Sequence, residues 1–271
     1  MLLVIMSIVI QFDPWARMGN RMFQYAFGYI LAKRKLSPLY HLEGLPNFNI
    51  KPSSGDINWA LANKPILYTK QFGNNFVDID QVLQHNGTTV VNSFVQLSQY
   101  YTPYKNDLKE VFNITYDQSL INSQNQINDN SLVVHIRETD YVQIDGFLGY
   151  TFYKNLIDTS NFTDVIIVTD NSKCETVQKL ILDGCKLHTE GYVDKFETTS
   201  DSRSMRDFKF LLNSSNIAIS QSSFSWWAAF LGSHKKIIFP YKTNKGVWPI
   251  NPKQDDIDLY FEHQGNEKFI L

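Results

Sequence analysis

The strongest constraint on the fold of this chain is an apolar run that ends abruptly in polar residues. Leu132 to Ile136 is rich in Val and broken only by His135, and Arg137, Glu138 and Asp140 follow it closely. Buried parallel strands have nearly continuous apolar sequences, and their ligands bind just beyond the carboxyl ends. We therefore interpret the segment as a strand that ends at a binding site. The alternative is a core strand in which His135 is merely hydrogen-bonded and Arg137 forms a surface pair with Asp140.

The rest of the second half alternates predicted strands with predicted helices. The strands are Val165 to Thr169, Ile217 to Ser220 and Lys236 to Pro240; the helices are Tyr150 to Leu156, Cys174 to Leu182, Ser204 to Asn213 and Phe224 to Leu231. This alternation predicts a doubly wound α/β fold with a parallel sheet. His135, Asp170 and Gln221 all fall at strand ends, so we expect them to face one crevice.

The first half predicts a second α/β region. It contains an apolar first strand, Leu2 to Phe12, a largely apolar helix, Arg21 to Lys35, and a strand, Thr89 to Val95; Leu97 to Phe112 predicts a helix interrupted or restarted at Pro103. Asn113 to Asn130, rich in Asn, Gln and Ser, is the best linker candidate. We predict two Rossmann-like domains, residues 1–126 and 127–271, facing a ligand cleft.

Composition and charge exclude several classes of protein. The 25 Lys and Arg against 27 Asp and Glu indicate no general affinity for nucleic acid. Two cysteines, Cys174 and Cys185, are too few for a disulfide scaffold or a Cys-based zinc site. Met1 to Ile10 is too short to span a bilayer and lacks a signal-peptide pattern. We predict a cytoplasmic protein without a transmembrane segment, which is compatible with peripheral membrane contact.

Polar residues crowd the start of the first predicted helix. Arg17, Asn20, Arg21 and Gln24 precede or open an otherwise apolar helix. The free N–H groups and positive dipole of a helix N-terminus suit an anion or a sugar. The alternative is a capping Asn20 with solvated arginines.

A second helix start also has the composition of a binding turn. Ser222 and Ser223 separate the strand ending near Ser220 from the helix beginning at Phe224. Hydroxyl groups and the N–H groups of a first helical turn can cradle a phosphate. The alternative is an ordinary Ser cap, with Trp226 and Trp227 in the core.

Taken together, these motifs resemble a known family. Segments 20–28, 135–141 and 222–231 occur in the order seen in the α-1,2-fucosyltransferases of glycosyltransferase family 11. Weaker similarities lie between them, at residues 94–101, at the strand that ends in Asp170, at Asp207, and at Pro240 followed by Trp248. The resemblance covers almost the whole chain.

That resemblance implies a GT-B-like fold, with the first domain on the acceptor side and the second binding the GDP-sugar. It implies an inverting transfer of L-fucose from GDP-β-L-fucose to a glycan hydroxyl, through an α-1,2 linkage and with no cofactor or required metal. His135 would help to hold the guanosine, Arg137 would pair with the pyrophosphate, and Ser222, Ser223 and Phe224 would form the phosphate-binding turn. By the same resemblance we assign four more residues to donor binding and take Asp140, with Arg137, as the catalytic candidate; the four are Arg17, Asn20, Asp170 and Asp207.

Two departures from the family pattern bear on activity. Glu138 replaces the usual second arginine, and the first loop reads Arg17-Met18-Gly19-Asn20-Arg21 in place of Gly-Leu-Gly-Asn-Gln. Side chains alternate along a strand end, so Glu138 is free to face another element while Arg17 or Arg21 restores the cation. The first loop also resembles that of the protein O-fucosyltransferases, whose His-x-Arg motif lacks the second arginine.

The catalytic base stays open among Asp140, Glu138, Asp145 and Asp13. Asp78-Ile-Asp80 and Asp256-Ile-Asp258 have the spacing of metal-binding pairs, but neither follows a clear buried strand. We expect helix-start or surface carboxylates there. Two other hypotheses are a GDP-sugar-binding protein without transferase activity and a transferase that uses another GDP-sugar.

Overall fold

The computed structural model describes residues 6–53, 57–62, 64–114, 129–138, 148–188, 203–241 and 258–270. The chain divides into two compact units, Met1–Asn113 and Ile114–Leu271. Each unit contains a parallel sheet with helices in the connections, which confirms the predicted α/β class with two parallel-sheet units. The predicted boundary between residues 126 and 127 lies outside the described residues.

The first unit is built around a four-stranded parallel sheet of order β2-β1-β4-β3. Its strands are β1 Ser7–Ile10, β2 Leu39–His41, β3 Ile66–Tyr68 and β4 Thr88–Val91, and its helices are α1 Met18–Lys35, α2 Ile57–Leu61, α3 Ile79–Gln84 and α4 Lys105–Val111. The pairs Ile8–Leu39 and Ile8–Thr89 fix the register on either side of β1. All three neighbouring strands therefore end at the same edge of the sheet.

Helix α1 is the principal helix packed on this sheet. It begins at Met18, three residues before the predicted start, and Arg17 occupies the N-cap position. The suggestion that Asn20 caps the helix is therefore wrong, because Asn20 lies in the first turn. Gly28 brings the helix close to β1, since a Cβ at this position would lie 2.6 Å from Ile10 Cγ1. The helix ends at Lys35, whose Nζ donates hydrogen bonds to two carbonyls at the carboxyl end of α3.

The region predicted as one interrupted helix, Leu97 to Phe112, is three short elements. Two 3₁₀ helices, Ser98–Tyr100 and Thr102–Tyr104, precede α4. Pro103 lies in the second of them, where its missing N–H is tolerated. The predicted restart after Pro103 is confirmed by α4, which begins at Lys105.

The second unit contains a six-stranded parallel sheet of order β10-β9-β8-β5-β6-β7. Its strands are β5 Ser131–Ile136, β6 Asp164–Thr169, β7 Lys186–Leu187, β8 Asn216–Ala218, β9 Lys236–Tyr241 and β10 Asn266–Ile270; its helices are α5 Gly149–Thr159, α6 Glu175–Leu182, α7 Arg203–Asn213 and α8 Ser223–Leu231. Every predicted element of this half is present, with ends shifted by at most three residues. Strands β7 and β10 lack the apolar runs of the others and were not predicted.

The strand order shows where the chain switches from adding strands on one side of β5 to adding them on the other. From β5 the chain proceeds outward through β6 to β7, and it then returns to add β8, β9 and β10 on the other side of β5. The topological switch point therefore lies between β5 and β8, where the successive connections run in opposite directions. Ligands of open α/β sheets bind outside the carboxyl ends of the strands at this point.

Among the described residues, no helix combines the length and the apolar character that a membrane span requires.

Candidate functional site

His135 lies at the carboxyl end of β5, directly at the switch point. It is 4% exposed, and its Nδ1 shares a 2.7 Å hydrogen bond with Ser220 Oγ, two residues beyond the end of β8. The imidazole also stacks against Phe224, with ring centroids 5.5 Å apart. Burial, with a smaller contribution from Arg137, lowers the pKa of His135 to about 3. The ring is therefore neutral at physiological pH and is held in one orientation.

The turn between β8 and α8 forms the other wall of the switch point. The Ser222 hydroxyl accepts a 3.3 Å hydrogen bond from Phe224 N, so Ser222 is the N-cap of α8. Ser225 Oγ donates to Ser222 O and lies 3.5 Å from Ser220 Oγ, which ties the turn to the residue that holds His135. Ser223 is the first residue of the helix. The first N–H groups of α8 accordingly lie beside His135.

The apolar body of α8 anchors this turn. Trp226 and Trp227 are fully buried, and Trp226 stacks on Phe230 at 4.8 Å. Trp226 Nε1 also donates a 2.6 Å hydrogen bond to Leu259 O. The Ser cap and the Trp core of the alternative interpretation are therefore confirmed. Phosphate binding at this turn stays a prediction.

Arg137 follows β5 directly and forms an ion pair with Asp170, which follows β6. The distance from Arg137 Nη1 to Asp170 Oδ2 is 3.0 Å, and the two side chains are 15% and 24% exposed. The register pairs Ile136 with Thr169, so these two residues are the first beyond the two strand ends. The suggested surface pair of Arg137 with Asp140 is not testable, because Asp140 lies outside the described residues.

Asp207 belongs to a second charged cluster at the same edge of the sheet. Its carboxylate lies 3.7 Å from Arg203 Nε and 3.7 Å from His188 Nε2. Arg203 Nη2 donates a 2.9 Å hydrogen bond to Thr169 O, next to Asp170. His188 stacks on Phe210 at 3.8 Å, and burial followed by the charge of Arg203 lowers its pKa to about 4. The two aspartates predicted to bind the donor are thus both paired with arginines near the end of β6.

Glu138 is buried beside Cys174. It is 7% exposed and accepts a hydrogen bond from the thiol of Cys174, the N-cap residue of α6. Burial raises the pKa of Cys174 to about 11, and Glu138 adds to that shift. Burial also raises the pKa of Tyr153 on α5, again with a contribution from Glu138. The carboxylate that replaces the second arginine therefore lies among the helices that cover the sheet.

The donor-binding candidates of the first unit lie around the start of α1. Asn20 Oδ1 accepts a 3.0 Å hydrogen bond from Gln96 Nε2, while Arg17 is the exposed N-cap residue. Arg21 donates to Glu43 at 2.7 Å and is therefore already paired. These residues share the first unit, and the other described candidates share the second.

The remaining acidic candidates have structural partners or lie outside the described residues. Asp13 accepts a 2.8 Å hydrogen bond from Trp15 N, and Asp78 is the N-cap of α3, as expected for a helix-start carboxylate. Asp145 and Asp256, like Asp140, lie outside the described ranges. Within those ranges no group of three or more His, Cys, Asp or Glu side chains could hold a metal ion. Independence from metal stays a prediction.

Sequence reasoning missed three residues that shape this region. Ser220 fixes His135, Arg203 joins Asp207 to the end of β6, and His188 contacts Asp207. Ser220 carried a signal, because it stands at the end of a predicted strand next to the polar Gln221. Arg203 and His188 carried none, because their contacts depend on how β7 and α7 are placed around β6.

No protein-family model matches the chain, and the comparison with curated proteins gives no match. Several solved structures are similar to the chain, and three of them are described here. Fucosyltransferase NodZ from Bradyrhizobium is 12% identical, with a TM-score of 0.49 over 85% of this chain and 93% of its own. NodZ α-1,6-fucosyltransferase soaked with GDP-fucose is 11% identical, with a TM-score of 0.46 over the same shares. A mutant of Arabidopsis thaliana FUT1 in complex with GDP is 11% identical, with a TM-score of 0.47 over 86% of this chain and 70% of its own.

Proposed function

We propose that the protein is a GDP-fucose-dependent fucosyltransferase that transfers L-fucose to a glycan hydroxyl. The observation that carries the proposal is the convergence of His135, Arg137 and the N-terminus of α8 at the switch point between β5 and β8. This is where a doubly wound sheet binds a nucleotide. Two of the three main segments that resemble family 11, residues 135–141 and 222–231, begin at this position.

The site has the chemistry required to hold a nucleoside diphosphate. A neutral, fixed imidazole at His135 offers its second ring nitrogen to the nucleoside, and Phe224 packs against the ring. The N–H groups at the start of α8 and the hydroxyl of Ser223 suit phosphate oxygens. Arg137 supplies a guanidinium that can bind two phosphate oxygens at once.

These groups also explain how the site would promote transfer. When the bond from fucose C1 to GDP breaks, negative charge develops on the β-phosphate. Fixed donors and a guanidinium aimed at that charge stabilise the transition state more than the ground state, because they need no reorganisation. The pairing of Arg137 with Asp170 holds the guanidinium in place before the donor binds.

The base that accepts the proton of the acceptor hydroxyl is one of the carboxylates named above, with Asp140 as the first candidate. Three finer features of the proposal come from the family resemblance: the α-1,2 linkage, inversion at C1 and independence from metal. Inversion requires a base on the face of the sugar opposite GDP. Incubation with GDP-β-L-fucose and a β-galactoside in EDTA, followed by NMR of the product, tests them together. An α-fucoside on O2 supports them, and a β-fucoside or dependence on added metal would refute them.

A GDP-sugar-binding protein without transferase activity is the second candidate, favoured by Glu138 at the position of the second arginine. Its carboxylate adds no positive charge, and it accepts a hydrogen bond from Cys174. Transfer by the wild type separates the two candidates. Transfer to any of a broad panel of glycans supports the transferase, whereas donor binding without transfer supports the second candidate.

A further inference from the structure

Two consecutive residues at the end of β5 contact the segment that follows β6. Arg137 and Glu138 come directly after β5, and Asp170 comes directly after β6. Arg137 forms its 3.0 Å ion pair with Asp170, and Glu138 accepts a hydrogen bond from the thiol of Cys174. The chain beyond β5 is therefore attached at two points to one short segment, residues 170–174.

This short segment is a turn held by its own hydrogen bonds. Asn171 N donates a 3.1 Å hydrogen bond to Thr169 Oγ1, and Lys173 N donates at 3.1 Å to Asn171 Oδ1. Cys174 N donates at 3.3 Å to Asn171 O, and Cys174 is then the N-cap residue of α6. These bonds fix Cys174 relative to Asp170, so both contacts with the end of β5 are made to one rigid turn.

The surroundings of Glu138 suit a carboxylate. Its side chain is buried, and its Oε1 has no hydrogen-bond partner among the described residues, so the contact with the thiol orients it. The start of α6 is close by, because Cys174 is its N-cap. The free N–H groups of a helix start carry partial positive charge, which favours a carboxylate and disfavours a guanidinium. An anion therefore fits where the family that the chain resembles has an arginine.

The thiol is a dependable donor in this pair. Burial raises the pKa of Cys174 to about 11, and the charges of Glu138 and Asp170 add to the shift, although a hydrogen bond from the backbone of Val177 opposes it. The thiol consequently keeps its proton at physiological pH. Its hydrogen bond to Glu138 is present whenever the chain is folded.

This pair bears on Arg137, because Glu138 is the next residue along the chain. A guanidinium must lie in a defined plane to bind two phosphate oxygens. Asp170 fixes its charged end, and the attachment of Glu138 to the turn fixes the backbone from which the side chain extends. A displacement of about 1 Å in such a group can cost about 100-fold in rate.

We propose that Glu138 is a positioning residue, whose hydrogen bond with Cys174 holds Arg137 in the orientation that binds the donor diphosphate. The inference rests on the proposed function, which assigns the diphosphate to Arg137. In this chain the contact with Cys174 takes the place of the second arginine. The departure from the family pattern is therefore compatible with donor binding.

The test is a double-mutant cycle on the full chain, with GDP affinity measured by ligand-observed NMR. Glu138→Leu removes the hydrogen-bond acceptor and should weaken GDP binding about threefold to tenfold, the effect of one hydrogen bond. In an Arg137→Ala background the same substitution should change the affinity by less than about twofold, because the residue through which Glu138 acts is already gone. A merely structural role would weaken binding equally in both backgrounds.

Cys174 supplies an independent second half of the test. Cys174→Ala removes the donor and should weaken GDP binding as much as Glu138→Leu does, and the two substitutions together should weaken it no more than either alone. Cys174→Ser keeps a donor and Glu138→Gln keeps an acceptor, so both should bind GDP within about twofold of the wild type. If Glu138→Leu does not fold, Cys174→Ala replaces it in the cycle with Arg137→Ala.

Tyr150→Phe is the matched control. It removes a 2.7 Å hydrogen bond from α5 to Asp183, which lies at the other end of α6. This variant should bind GDP as the wild type does. Glu138→Arg provides the opposite comparison: it restores the family's arginine, but it loses the contact with Cys174 and puts a cation at the start of α6. It should therefore weaken GDP binding and lower the melting temperature.

The possible outcomes separate this inference from the proposed function. Equal weakening by Glu138→Leu with and without Arg137, or tighter GDP binding by Glu138→Arg than by the wild type, would overturn the inference and leave the donor site intact. Absence of GDP binding to the wild type would refute the proposed function and the inference with it. Weakening that depends on Arg137 and is avoided in Cys174→Ser and Glu138→Gln supports both.

Discussion

His135 Nδ1 and Ser220 Oγ are 2.7 Å apart, and this hydrogen bond joins the ends of the two strands that flank the switch point. It orients the imidazole through Nδ1 and leaves Nε2 outside this hydrogen bond. Ser220 in turn lies 3.5 Å from Ser225 Oγ in α8. A strand, a turn and a helix N-terminus are thus linked through two hydroxyl groups.

Replacing Ser220 with alanine should weaken GDP binding about threefold to tenfold, the effect of losing one neutral hydrogen bond. The fold should persist, because the substitution removes a single buried oxygen. Ser214→Ala is the control: Ser214 is equally buried in the same unit, and its hydroxyl donates to Leu211 O. Calorimetry with GDP should distinguish the two variants, and equal affinities would show that the orientation of His135 does not contribute to binding.

Arg137→Ala should lower kcat/KM for transfer by about 100-fold or more, in the range seen when one group that stabilises transition-state charge is removed. Arg137→Lys should recover only part of the loss, because an ammonium group cannot bind two oxygens in the same plane. Lys154→Ala breaks a surface ion pair with Asp158 in the same unit and should leave the rate unchanged. Steady-state kinetics with GDP-fucose provide the measurement, and an active Arg137→Ala variant would remove this residue from the mechanism.

Acid should destabilise the protein through its buried histidines. Burial lowers the folded-state pKa of His188 to about 4, below its ordinary 6.5, so the unfolded chain takes up a proton that the folded chain does not. Stability is therefore complete above pH 6.5 and is lost as the pH falls toward the folded-state value. At about pH 5 the loss from this residue is about 2 kcal/mol.

His188→Phe should remove that part of the pH dependence while keeping the stacking contact with Phe210. Urea unfolding of the wild type and the variant at neutral pH and near pH 5 provides the comparison. The wild type should lose more free energy of unfolding than the variant between the two pH values. If the wild type and His188→Phe lose the same free energy of unfolding between the two pH values, His188 takes up its proton equally well in the folded and the unfolded protein.

Gly28→Ala should destabilise the first unit by about 1–3 kcal/mol, because the added methyl group would lie 2.6 Å from Ile10 Cγ1. Ile10→Ala removes the opposing atoms and carries its own cavity cost. The double variant should therefore be more stable than the sum of the two single effects predicts. Denaturant unfolding of the three variants measures the coupling, and strict additivity would show that the helix moves away from the strand at little cost.

Strand β5, the Ser222 turn and the buried helix α8 could be predicted because their sequences carry local signals. A run of Val residues ending in polar groups, and Ser residues before an apolar helix, depend little on the rest of the chain. The start of α1 was misplaced by three residues because Gly19 has a poor helix propensity, although it is buried in the first turn. Tertiary packing overrides propensity there.

The parts that were not predicted depend on contacts between distant segments. Strand β7 has two residues and pairs only with β6 at the edge of the sheet, while β10 is an edge strand with mixed polarity. Neither has the apolar pattern of a central strand. Strand alternation suggested only that Glu138 faces another element. The packing of α5 and α6 identifies Cys174 and Tyr153 as its neighbours.

The decisive measurement for the donor site is calorimetric titration of GDP-fucose into the wild type and into Arg137→Ala, in EDTA. We expect metal-independent binding to the wild type, stronger for GDP-fucose than for GDP-mannose, and at least tenfold weaker binding to the variant. Lys154→Ala should bind GDP-fucose as the wild type does. Equal affinity of the wild type and Arg137→Ala, or no binding of GDP-fucose to the wild type, would contradict the assignment of the switch point as the donor site.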